Sequence, residues 1–77
     1  MVIDMIVNDT GDGFIAEVPS LNGCECWAHS DDEAITKIIE LVRFYTNLSE
    51  ETEIIIDQAR KKKNKIVYKL IFTKDIH

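Results

Sequence analysis

The chain has 77 residues, with fourteen acidic side chains against nine Lys and Arg, a formal charge of −5 and a pI near 4.8. That balance disfavours nucleic acid as the main partner, because phosphate binding wants cations in excess. Hydrophobic residues at 45% and charged residues at 30% describe a globular chain rather than a disordered one, and no run approaches the ~18 apolar residues of a membrane span.

The first strand is expected over residues 1–8, where Ile3, Met5 and Val7 would face one way and Asp4 and Asn8 the other. Asp4 interrupts the apolar run and no basic leader precedes it, so these residues do not read as a signal peptide. Asn8-Asp9-Thr10-Gly11-Asp12-Gly13 is rich in turn formers and predicts a hairpin. A second strand follows at Phe14–Val18, with Phe14, Ala16 and Val18 on one face and Glu17 opposite. Pro19 ends it, because proline donates no ladder hydrogen bond. After a turn at Pro19–Gly23, residues Cys24–Ala28 form a short third strand, both cysteines on one face and Trp27 with Glu25 on the other.

Ser30-Asp31-Asp32-Glu33 has the form of a capping box, with acidic residues where the helix dipole favours them. Behind it Ala34, Ile35, Ile38, Ile39, Val42 and Tyr45 recur at three- and four-residue steps, which predicts a helix over 31–46. Residues 49–64 support two readings. Ser49 could cap a second short helix, and three consecutive β-branched residues, Ile54-Ile55-Ile56, could make a strand. We take the short helix as the expectation, with Arg60-Lys61-Lys62-Lys63, Asn64 and Lys65 as a polar break. Ile66, Tyr68, Leu70 and Phe72 then alternate along a final strand.

The expected fold is therefore one α+β unit over residues 1–77, ordered β-β-β-α-(α)-β, an antiparallel sheet packed on one face by a helix. The opposite face would expose Val2, Ile6, Ile15 and Trp27 with some of Val67 or Ile71. So much apolar surface on so small a domain predicts a partner or a homodimer.

The run Gly13-Phe14-Ile15-Ala16-Glu17-Val18-Pro19-Ser20-Leu21-Asn22-Gly23-Cys24, followed by Ser30-Asp31-Asp32-Glu33-Ala34-Ile35, resembles the HicB-like antitoxin family over roughly residues 1–46. The resemblance implies a partly degenerate RNase H-like or dsRNA-binding-like fold. It further implies a non-catalytic domain that binds and occludes a small basic toxin of the HicA type, an mRNA interferase. Typical members add a C-terminal DNA-binding module. Here only Thr73 to His77 follow the last strand, so no specific DNA binding is expected. Glu25, Trp27, Asp31, Asp32 and Glu33 are the candidate partner-binding residues: an interface anchor with acidic neighbours suited to a basic toxin.

Other constellations are weaker. Cys24, Cys26 and His29 make a C-x-C-x-x-H cluster, but structural zinc wants four ligands and the one remaining histidine is His77. A cysteine nucleophile would need a base held and oriented beside it. Asp4, Asp9, Asp12 and Glu17 read as turn formers and polar strand positions rather than a nuclease cluster. The expectation is thus no enzyme, no metal and no cofactor. Two cysteines two positions apart are a poor staple and point to a cytoplasmic chain with free thiols.

Overall fold

In the computed structural model, which describes residues 1–73, the chain runs β1 (Val2–Asp9), β2 (Phe14–Glu17), β3 (Glu25–Ala28), α1 (Asp31–Thr46), β4 (Ile55–Lys62) and β5 (Lys65–Ile71). The five strands form one antiparallel sheet in the order β3-β2-β1-β5-β4. It is an α+β structure. Among the described residues no helix is long and apolar enough to cross a membrane.

The first hairpin forms for the reason its composition suggests. Asp9 accepts from the Gly11 amide at 2.9 Å, Thr10 donates to the Asp12 carboxylate at 3.0 Å, and Gly11 takes a φ of 92° that only glycine adopts cheaply. The second turn closes through Leu21 N–H to the Val18 carbonyl and Cys24 N–H to the Leu21 carbonyl, each at 3.0 Å.

Helix α1 begins at the expected cap. Ser30 is extended and its hydroxyl accepts from the Glu33 amide at 3.2 Å. At the other end Asn47 takes a left-handed conformation, and the Leu48 amide reaches back to the Arg43 carbonyl at 2.9 Å, a Schellman-type stop. Ala34, Ile38 and Val42 pack on Met5, Val7, Ala16, Val18, Ala28 and Leu70, all buried. Tyr45, expected on this stripe, is instead 43% exposed. The buried position in the last turn goes to Thr46, whose hydroxyl satisfies itself on the Val42 carbonyl at 2.6 Å. A 3.6-residue period from Val42 points midway between the two, and the smaller side chain fits against the sheet.

The expected second helix is not there: residues 55–62 are strand β4. Ser49 does accept an amide, that of Glu51 at 3.1 Å, but it closes a turn rather than capping a helix. Arg43 then pins this segment to α1 through the carbonyls of Ser49 and Thr52 at 2.9 and 2.6 Å. Beyond it the isoleucine run extends and pairs with β5, as β-branched residues prefer. The basic run is correspondingly not a polar break. Arg60, Lys61 and Lys62 lie within β4, after a bulge between Gln58 and Arg60. The sheet thus has five strands where the sequence suggested four.

Helix α1 lies closest to β3, β2 and β1; Leu70 of β5 still joins the buried core, whereas β4 is exposed throughout. The molecule is elongated, 43 Å in its longest dimension against 21 and 20 Å in the others.

Replacing Ser30 with Ala should destabilise the protein by about 0.5–2 kcal/mol, the usual cost of losing a helix N-cap. A urea titration followed by far-ultraviolet circular dichroism reads this directly. An unchanged midpoint would show that the Ser30–Glu33 bond does not hold the helix start.

Candidate functional site

Register fixes what the open sheet face presents, because residues opposite one another point the same way. One row across the strands reads Trp27, Ile15, Asn8, Lys65, Lys62, and the next reads Glu25, Glu17, Ile6, Val67, Arg60. At the far end Val2, Ile71 and Ile55 align across β1, β5 and β4. Val2, Ile6, Ile15 and Trp27, expected on this face, are therefore on it, together with both Val67 and Ile71. They are interleaved with charge, and Asp4 meets Lys69 in an ion pair of 2.5 Å.

Trp27 is the prominent group of the β3 corner. It is 41% exposed, on an edge strand, with His29 against its ring edge-on at a centroid distance of 4.6 Å. Its row neighbour is Ile15, and Glu25 and Glu17 stand directly opposite each other alongside. Two carboxylates facing across a ladder repel, so this corner favours a cationic partner. Gly13 shapes the corner from beneath. A Cβ there would collide with the Trp27 ring and lie 2.7 Å from the Ala28 carbonyl oxygen.

The five residues singled out for partner binding do not form one patch. Glu25 and Trp27 share the open face. Asp31, Asp32 and Glu33 are exposed in the first turn of α1, on the other side of the sheet. Asp31 there lines a cleft with the lysines of the β4–β5 hairpin. Burial pushes the Tyr68 phenol above its ordinary pKa, and the carboxylates of Asp31 and Asp32 push it further.

Cys24, Cys26 and His29 are not brought together either. Cys24 is buried in the core, and Cys26 points to α1, where its thiol meets the Ala34 carbonyl at 3.4 Å. His29 turns to Trp27. Burial raises both thiol pKa values. The neighbouring Cys26 adds to that of Cys24, while Lys37 and a backbone hydrogen bond from Ala16 draw that of Cys26 partly back. Such thiols are poor nucleophiles. Among the described residues no group of three or more His, Cys, Asp or Glu is placed to hold a metal ion, and His77 lies outside the described residues. Asp9 and Asp12 serve the first hairpin, and Asp4 is paired with Lys69.

Two features escaped the sequence reading. Phe44, 81% exposed on α1, was legible as an aromatic lying off the apolar stripe. The facing pairs Glu17–Glu25 and Lys62–Lys65 needed strand register, which no local signal supplies. No protein-family model, no curated protein and no solved structure matches the chain.

Trp27 is the single tryptophan of the chain, so its emission reports on this corner alone. Gly13→Ala should shift that emission and cost about 1–3 kcal/mol, the usual range for an overpacked site. An unaltered spectrum and an unaltered denaturation midpoint would show that the ring does not rest on Gly13.

Proposed function

We propose that the chain is a non-catalytic protein-binding module of the HicB-like antitoxin type, whose partner is a small basic HicA-type mRNA interferase. The observation that carries this reading is Trp27, half-exposed on the edge strand β3 beside the facing carboxylates of Glu17 and Glu25. An aromatic anchor supplies desolvated contact area. The paired carboxylates repel one another in the free protein and are relieved by a cationic surface. The resemblance of residues 13–24 and 30–35 to the family supports the same partner class, and the exposed edge of β3 gives that partner a border to approach.

Titrating the purified chain into an RNA-cleavage assay of a HicA-type interferase tests the reading. Cleavage should stop near one chain per toxin. Trp27→Ala should weaken inhibition by roughly 2 kcal/mol or more, as loss of an interface anchor does. Full cleavage at a large excess of the chain would reject the reading.

A second reading, a homo-oligomeric structural or ligand-sensing domain without a toxin, is favoured by a different observation. Val2, Ile71 and Ile55 align in adjacent strands and are 59%, 36% and 53% exposed. Light scattering at micromolar concentration should then give at least twice the 8.8 kDa chain mass, and Ile55→Lys should return the protein to monomers. A monomer at that concentration removes this reading.

A further inference from the structure

The net charge of −5 conceals a separation along the chain. Residues 1–54 carry twelve acidic and two basic side chains, a net of −10. Residues 55–73 carry six basic and one acidic, a net of +5. That second stretch is the β4–β5 hairpin, and Arg60, Lys61, Lys62, Lys63 and Lys65 gather at its turn. Lys62 and Lys65 face each other directly across the ladder, a like-charge pairing that costs stability in the free protein. Among the described residues none of these five forms an ion pair; the hairpin's salt bridge is made lower down, by Lys69.

On the helix side of the tip lies a cleft of about 240 Å³. It lies between the start of α1 at Asp31 and the hairpin turn at Lys63 and Asn64. Its floor is apolar, made of Val7, Phe14 and Ile66; Lys61, paired with Ile66 on that face, and Lys63 at the turn rim it, while the side chains of Lys62 and Lys65 leave the same tip toward the open face. Asp9 and Asp31 form part of the lining, and each already accepts a backbone amide, from Gly11 at 2.9 Å and from Asp32 at 2.8 Å. An aromatic ring recessed beside a row of cations is how proteins hold single strands, base on ring and phosphates on lysines. A lipid surface would instead want apolar groups protruding at the tip, and here they are sunk in the cleft.

We propose that the tip of the β4–β5 hairpin and the cleft beneath it bind single-stranded nucleic acid without sequence specificity, with phosphates on the lysines and a base against Phe14. The site is independent of Trp27 and of the partner reading above.

Fluorescence anisotropy with a labelled oligouridylate of about fifteen nucleotides tests the proposal on the intact chain. If the five cations neutralise five phosphates, the log–log salt slope is about −3.5, an affinity loss of about a hundredfold between about 50 and 200 mM salt. The double variant Lys61→Ala/Lys63→Ala, exposed at the hairpin tip beside the cleft, should reduce that slope by about 1.4. Phe14→Leu should weaken binding severalfold and leave the slope unchanged, with a thermal melt confirming that it is folded. No binding at the lower salt overturns the proposal. So does affinity that ignores the lysine substitutions, equal binding by Phe14→Leu, tighter binding to a duplex of the same length, or preference for phosphatidylserine vesicles over the oligonucleotide.

Discussion

The structure depends on a mismatch of widths. A helix with its side chains is about 10–12 Å across, whereas five strands spaced about 4.8 Å apart span roughly 19 Å between outer backbones. One helix cannot roof such a sheet. Helix α1 sits over β3, β2 and β1, where Met5, Val7, Ala16 and Val18 meet Ala34, Ile38 and Val42. Strand β5 is held by the long β1–β5 ladder, Val2–Asn8 against Lys65–Ile71, and adds Leu70 to the core, while β4 beyond it is exposed throughout. The exposed aliphatics of β4, Ile55 and Ile56, are the consequence of that shortage of cover.

Charge follows the same division. Residues 1–54 are strongly acidic and the β4–β5 hairpin is strongly basic. Strand register sharpens the contrast by setting Glu17 against Glu25 at one side of the open face and Lys62 against Lys65 at the other. Each pair stores repulsion that a partner of opposite sign would release. A protein whose average charge argues against one class of ligand can therefore present a surface suited to it, because binding responds to local fields rather than to the sum.

Much of the fold was legible in the residues. The helix ends at the expected positions because two independent signals, the Ser30 cap and the stripe through Ala34, Ile38 and Val42, agree. Strands β1, β2, β3 and β5 alternate as their side chains suggested. Residues 49–64 were misread because their signals conflict. Ser49 does accept a nearby amide, which a cap and a turn share. The β4–β5 connection at Lys63-Asn64 contains no glycine, and neither residue takes a positive φ, so the usual hairpin signature was missing. Of the site, the outward tryptophan was readable from alternation alone. That Asp31 lines a cleft with the hairpin lysines while Trp27 stands on the opposite face of the sheet is a matter of how the helix crosses the sheet, which is not a local property.

The bulge between Gln58 and Arg60 has a consequence for how the protein keeps its own company. Strand β4 is an outer strand eight residues long and exposed throughout, with Ile55 and Ile56 at its start. Flat strands of that kind recruit further strands and grow into fibres. Here the extra residue bends and twists the backbone midway, so a second β4 cannot lie along its whole length, and the cations that follow repel any copy that tries. The β4 border is thereby kept from polymerising while the flat of the sheet stays available for a specific contact.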